Sequence, residues 1–385
     1  MSLMIQEASS KDQSDHQCKQ RRRLMFVIEA LTVGGAEQLV VDLANEFAQQ
    51  GEYVHVVCLS KPGELVDLLV PEVKVTILDK RPGIDLRISR KLRNLVKSDN
   101  ISIVNSHLWT ANLWTRIALV KSGIPVVATE HNRDVWKRAH NRTIDRILSY
   151  ATAKLIAVSE DTASYYRRDV GIRSSLITVI NNGIDTARYA NGSGIKLRSS
   201  LARETDFLVG SVGRLAKAKN HPRLIAATEM VKQKGIPIQV VIVGEGPERL
   251  ATEMKISKLG LEDCVKLLGV RTDIPDLLAA LDVFVLSSDR EGHPLSALEA
   301  QAAGTPVILT KAGGNADAVS RSDQGCGGIL VDCTPAALAD GLYQLATDHE
   351  KRKEMGRFAK AYAAAQFDKS KMINSYSELF DSVLA

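Results

Sequence analysis

The chain has 385 residues, 45% of them hydrophobic and 25% charged, with a formal net charge of +5. That length exceeds one ordinary core and points to two domains of roughly 150–200 residues. No apolar run approaches the ~20 residues that span a bilayer, no cysteine pair has metal-ligand spacing, and so modest a charge decides nothing about nucleic acid. Residues 1–21 are polar and read as a leader outside the fold. Cys18, Cys58, Cys264, Cys326 and Cys333 are scattered and odd in number, as in a cytosolic protein with reduced thiols. The fold opens at Leu24–Ala30, an apolar run without alternation, the pattern of a strand buried on both faces. Gly34–Gly35 make a turn, and Leu39, Val40, Leu43, Ala44 and Phe47 form a helical stripe that Gly51 ends. Strands are expected at Tyr53–Leu59, Val73–Leu78, Ile101–Ser106, Pro125–Thr129, Leu155–Ser159 and Ile177–Ile180, with helices between most of them. This alternation predicts a parallel sheet with helices on both faces. Asn181–Arg203 has no strand-like run and reads as a linker. Alternation resumes at Phe207–Val212 and continues through Ile238–Val243, Val265–Leu268 and Val283–Leu286; after Cys333 the chain is helical. The expected fold class is α/β, with two Rossmann-like doubly wound domains whose strand ends surround one cleft.

Asp289–Gly304, DREGHPLSALEAQAAG, leaves the Val283–Leu286 strand through a loop into a helix that Gly304 stops. Glu291 lies at the helix mouth and Glu299 eight positions on, about 12 Å away at ~1.5 Å per residue. They are too far apart to act on one atom, but suitably spaced to hold two ends of a long ligand. An isolated loop glutamate is ordinarily just solvated, so the context has to carry the assignment. Gly34–Gly35 could bring backbone N–H groups close to an anion at a helix start, although a tight turn needs glycines equally. Arg214 and Lys219, in VGRLAKAKNH after the first strand of the second half, could neutralise a diphosphate without a metal ion. His107 and His131 end predicted strands where side chains enter the cleft. The turns at Gly244–Pro247 and Gly313–Asp317 would line the same edge.

Taken in order, GGAE at 34–37, SHLW at 106–109, TEHN at 129–132, NNGID at 181–185, VGRL with Lys219, VGEGPER at 243–249 and EGHPLSALE at 291–299 resemble family 4 glycosyltransferases of the GT-B fold. The resemblance implies a leader at 1–21, an acceptor domain at 22–185 and a linker at 186–205. It further implies a nucleotide-sugar domain at 206–366 and a segment 367–385 crossing back to the first domain. It implies transfer from a nucleotide sugar, UDP-linked by expectation, with retention of configuration. No cofactor or metal is expected. Arg214 and Lys219 would hold the diphosphate, Glu299 the ribose and Glu291 the sugar hydroxyls. His107 would be the active-site histidine, giving a catalytic set of His107, Arg214, Lys219 and Glu291. The donor site would further include Gly34, Gly35, Gly213, Gly244, Val270 and Arg271, and the loop residues Gly292, His293, Pro294, Leu295 and Ser296. Trp109, His131 and Asn132 would meet the acceptor with His107, although core packing is the ordinary role for Trp109 and Trp114. Asp317 stands where the family often has Glu, and His293 where an apolar residue is common.

No carboxylate pair has the ~5 Å separation of a double displacement, so attack by the acceptor on the leaving-group face is the expected route. The acceptor is expected to be a glycan or lipid-linked saccharide of cell-surface polysaccharide or glycolipid synthesis. Basic residues around Trp136 (Arg133, Lys137, Arg138, His140, Arg142, Arg146), and a second group at Arg87, Arg90, Lys91 and Arg93, suit an anionic membrane surface. The expected location is therefore the cytoplasm, at the inner face of the membrane. Two rivals are a nucleotide-sugar epimerase of the same architecture and a non-catalytic sugar-nucleotide-binding protein. No nucleic-acid-binding motif is present.

Overall fold

The computed structural model describes residues 21–134 and 136–385. The expected leader through residue 20, Cys18 included, lies outside the described residues, as does Val135. The first half holds strands β1 (Arg23–Ile28), β2 (Tyr53–Cys58), β3 (Lys74–Ile77), β4 (Ile103–His107), β5 (Val126–Glu130), β6 (Lys154–Ala157) and β7 (Ile177–Val179). They form one seven-stranded sheet in the order β3-β2-β1-β4-β5-β6-β7. The second half holds β8 (Phe207–Val212), β9 (Ile238–Val243), β10 (Val265–Gly269), β11 (Val283–Leu286) and β12 (Val307–Thr310). A small hairpin follows, β13 (Arg321–Ser322) and β14 (Gly325–Cys326), and then β15 (Gly328–Val331). Its six-stranded sheet runs β10-β9-β8-β11-β12-β15. Every pairing in both sheets is parallel.

These orders decide where a ligand can lie. In each sheet the order reverses beside the first strand, between β1 and β4 and between β8 and β11. A crevice opens at the carboxyl end of such a reversal because neighbouring connections leave in opposite directions. The loops there carry Gly34–Gly35 and His107 in the first half, and Gly213–Lys219 and Ser287–Leu295 in the second. All four had been singled out from sequence. Long β-branched runs explain the buried strands: β1, β2, β9 and β11 are buried almost throughout.

The segment 186–205 is not bare linker. It holds two short helices, Thr186–Ala190 and Ile195–Leu201, and Ile184, Tyr189 and Leu201 are buried in the core of the second half. Helices of five and seven residues complete too few turns to show a period in sequence. The final helix, Lys369–Leu384, packs instead on the first half. It buries Met372, Ile373, Tyr376 and Phe380 against the helix Gly35–Gln49, with Phe380 and Phe47 rings 5.8 Å apart. The two chain crossings lie side by side: Ile184 N–H donates to the Phe367 carbonyl and Lys369 N–H to the Ile184 carbonyl, each at 2.8 Å.

Phe380→Ala should therefore destabilise the first half by about 3–5 kcal/mol, the usual loss for a buried phenylalanine. Urea unfolding followed by tryptophan fluorescence measures this, since Trp109, Trp114 and Trp136 all lie in that half. A loss below about 1 kcal/mol would mean that the helix is not an integral layer of it.

Candidate functional site

The second half builds a cationic wall from strand ends. Beyond β8 the chain turns at Gly213 and exposes Arg214. Among the described residues, the Arg214 side chain makes no hydrogen bond or ion pair. A short turn, Lys217–Lys219, then aims Lys219 back into the cleft, where its Nζ lies 2.7 Å from Glu291 Oε1. Ser288 Oγ donates to the same oxygen at 2.6 Å. Glu291 is buried, so both neighbours are needed to hold its charge. Pro294 ends the loop as the N-cap of the helix Leu295–Ala302, whose first N–H groups have no intrahelical partner. One turn further in, Glu299 Oε1 accepts from Tyr189 OH at 2.8 Å. Burial pushes the Glu299 carboxyl above the usual range, and the Tyr189 hydroxyl opposes that shift.

The first half closes the opposite side. Its backbone approaches so closely that a Cβ on Gly292 would overlap the His131 carbonyl oxygen; within the second half, one on Gly314 would overlap the Gly292 carbonyl oxygen and crowd Ser159 of the first. Only glycine fits at either place. Asn182 Nδ2 donates to the His293 carbonyl at 2.8 Å, and Glu160 N–H to Asp317 Oδ2 at 2.7 Å. Asp317 thus caps the helix Glu160–Tyr165 from across the cleft. Gly35 faces the Leu295 side chain, so two helix N-termini converge on one space. Glu37, in the first turn of the helix Gly35–Gln49, folds back over Gly34; burial raises its carboxyl, and Arg214 across the cleft partly offsets this.

The histidines differ from the sequence expectation. His107 is wholly buried, with ring contacts to Phe26, Asn105 and His131, all in the first half. His131 is the histidine whose residue borders Gly292, and His107 lies behind it. Burial holds His107 well below its ordinary pKa and His131 down to about 3. Both rings are neutral, because strands β4 and β5 place them where water cannot solvate a cation. The Trp109 ring stands edge-on to Trp136 at 5.2 Å and is half-buried, Asn132 is exposed, and Trp114 is buried in the core.

The remaining expected residues are placed as follows. Gly213 and Gly244 approach each other at adjoining strand ends. Val270 is exposed, and Arg271 is paired with Asp273. His293 is buried, its ring edge-on to Phe367 at 6.0 Å beside the chain crossing, and Ser296 is half-buried in the helix. His293 thus contacts the crossing. Sequence reasoning missed Tyr189, Asn182, Ser288 and Asn105. Tyr189 fell in the supposed linker, Asn182 bonds His293 far along the chain, and Ser288 and Asn105 are ordinary polar residues that nothing in the local pattern marks.

Two family models match, "Glycosyltransferase Family 4" over residues 33–188 and "Glycosyl transferases group 1" over residues 195–362. The chain belongs to this glycosyltransferase family, which has the GT-B fold and transfers from nucleotide sugars with retention. It is 24% identical to N-acetyl-alpha-D-glucosaminyl L-malate synthase of Bacillus anthracis over 92% of this chain and 95% of that protein. It is 30% identical to the UDP-Gal:alpha-D-GlcNAc-diphosphoundecaprenol alpha-1,3-galactosyltransferase of Escherichia coli over 60% of this chain and 63% of that one. Among solved structures it resembles Anabaena Alr3699/HepE in complex with UDP and glucose, with a TM-score of 0.81 at 25% identity, covering 94% of this chain and 100% of that one.

The neutral histidines give acid stability a sign. Burial holds His221 and His293 at about 4, against 6.5 for the exposed ring. Between those values the unfolded chain binds more protons than the folded one, so stability falls as pH drops. His293→Leu should flatten this acid limb by up to about 1.4 kcal/mol per pH unit, the value of one proton. Urea titrations at about pH 5 and about pH 6.5 read the slope, and equal slopes in both proteins would refute it.

Proposed function

We propose that this enzyme transfers a hexose from a UDP-sugar, with retention, to a saccharide or lipid-linked acceptor in cell-surface polysaccharide or glycolipid synthesis. The observation that carries the donor half is the 2.7 Å Lys219–Glu291 pair, next to Arg214 and the N-terminus of the helix Leu295–Ala302. A diphosphate entering there meets Arg214, Lys219 and helix N–H groups, while Glu291 orients the sugar hydroxyls and Glu299 the ribose. Breaking the anomeric C–O bond builds charge on the diphosphate, and these fixed positive groups oppose it. The acceptor attacks from the same face, with Glu291 held by Lys219 and Ser288 rather than free as a nucleophile. His131 borders the sugar; Trp109, Trp136 and Asn132 flank the acceptor path. The E. coli relative's lipid-diphosphate acceptor and the UDP and glucose of the Anabaena complex favour this reading over an epimerase.

Incubation with UDP-hexoses alone discriminates. Slow release of UDP supports the transferase, and an epimerised sugar nucleotide would replace it with the rival. Lys219→Ala should lower kcat by about 10²–10³-fold, the usual loss of one charge-stabilising donor, and Glu291→Ala should abolish turnover or nearly so. Unchanged rates in both would leave no role for the pair.

Membrane contact draws on a smaller patch than the sequence offered. Lys137 is buried among Glu130, Asp134 and Asp145, and Arg133 is paired with Asp161, so neither is free for lipid. Arg138, His140, Arg142 and Arg146 remain on or before the helix Ala139–Leu148, beside exposed Trp136, Ile147 and Tyr150. In the second basic group Arg87 is paired with Asp85 and Lys91 bonds a backbone carbonyl, while Ile84 and Leu86 nearby are exposed. Such a surface suits the interface of an anionic bilayer. Flotation with phosphatidylglycerol vesicles should carry the protein upward, and Ile147→Asp with Trp136→Ser should leave it at the bottom. No flotation of the parent protein would remove the membrane from this reading.

A further inference from the structure

Four hydrogen bonds behind the cleft fix which nitrogen of each histidine carries its proton. Asn105 Nδ2 lies 3.0 Å from the Val127 carbonyl and 3.0 Å from Thr129 Oγ1. A carbonyl only accepts, so this end of the amide is the NH₂ group and the oxygen points the other way. Asn105 Oδ1 lies 2.8 Å from His107 Nε2, which must therefore carry a hydrogen. His107 has no charge in this buried place, so its Nδ1 is a lone pair, and that lone pair lies 3.1 Å from His131 Nε2. A lone pair needs a donor, so His131 carries its hydrogen on Nε2 and leaves Nδ1 bare. The opposite tautomer would set two lone pairs against each other with no water to separate them.

We propose that His107 and Asn105 are positioning residues that lock His131 in the Nε2–H tautomer, so that its Nδ1 serves as an acceptor for a hydroxyl of the sugar in the cleft. This rests on the reading above that the donor sugar lies beside His131 and Gly292. His131 then receives a hydroxyl hydrogen without offering a competing one, and the relay prevents the ring from flipping to a donor. The neutral ring keeps this acceptor through the physiological pH range. A sugar that presents a hydroxyl there is favoured over its deoxy analogue.

Nitrogen-15 spectra of the protein labelled at histidine rings test the lock without any substrate. The chain has eight histidines, and loss of one pattern in His131→Ala assigns the relevant ring. The expected result is a protonated Nε2 and a bare Nδ1 on His131, unchanged between about pH 5.5 and about pH 8. A protonated Nδ1 in the wild-type protein overturns the proposal, whatever the enzyme acts on.

Kinetics test its purpose, using whichever of UDP-glucose, UDP-galactose or UDP-N-acetylglucosamine releases UDP. His107→Leu should lower kcat/KM on the order of tenfold to a hundredfold, as small misplacements at reacting groups do. His107→Gln should restore most of the loss, because a glutamine amide can accept from His131 and donate to Asn105. In a His131→Ala background, His107→Leu should cost nothing further. Equal losses with and without His131, or no rescue by glutamine, reduce His107 to a packing residue. If His131→Ala itself leaves kcat/KM unchanged, the placement of the sugar beside His131 fails, while the nitrogen spectra still decide the tautomer.

Discussion

The structure depends on one constraint: backbone from the first sheet touches backbone from the second with no side chain between. The His131 carbonyl meets Gly292, which Gly314 backs from within the second half. Everything else in the cleft is arranged around that stack. It seats the loop after β5 against the loop after β11 and goes with an Asp317 that caps a helix of the other half. A methyl group at Gly292 would collide with the His131 carbonyl oxygen and force the two halves apart. The glycine of the EGHP turn is thus a spacer that lets the two halves meet backbone to backbone.

Charge is arranged with the same economy. The buried ion pairs and the pairs of the cleft differ in how firmly they are held. Arg116 and Asp145 are fully buried and paired at 2.7 Å, and Lys137 joins them. Such a cluster cannot lose a member cheaply, and it fixes the loop that carries Asn132 and Trp136. Lys219 and Glu291, by contrast, hold each other in the cleft with Ser288 beside them. Arg214 is exposed and faces Glu37 from across the gap.

Most of the architecture was legible because parallel strands buried on both faces write continuous apolar runs. Phe207–Val212, Ile238–Val243 and Val283–Leu286 could be read to the residue. What could not be read were elements stabilised from elsewhere. The short helices of 186–205 depend on packing against the second core, and β15 is four residues wedged between glycines and Asp332. The donor wall could be read because its residues cluster in sequence after β8 and β11. The histidine assignment could not be ordered, because strand ends alone do not say which ring is nearer the gap. That order comes from the neighbouring strands: β5 lies outside β4, and the loop after β5 is the one that reaches Gly292. Tyr189, the partner of Glu299, is separated from it by 110 residues, and no local pattern announces such a pair.

The helix Lys369–Leu384 also ties the order of synthesis to the order of assembly. Its Met372, Tyr376 and Phe380 complete a core of the sheet whose last strand ends at Val179, 190 residues before the helix begins at Lys369. While the chain emerges from the ribosome, the core shared by the first sheet and the helix Gly35–Gln49 stays incomplete until the second half has been translated in full. The second half has no such wait, since its cores take no residue from that last helix. The earlier-made portion is therefore the later one to finish. A nascent chain stalled anywhere before residue 369 exposes the surface that a chaperone would have to shield.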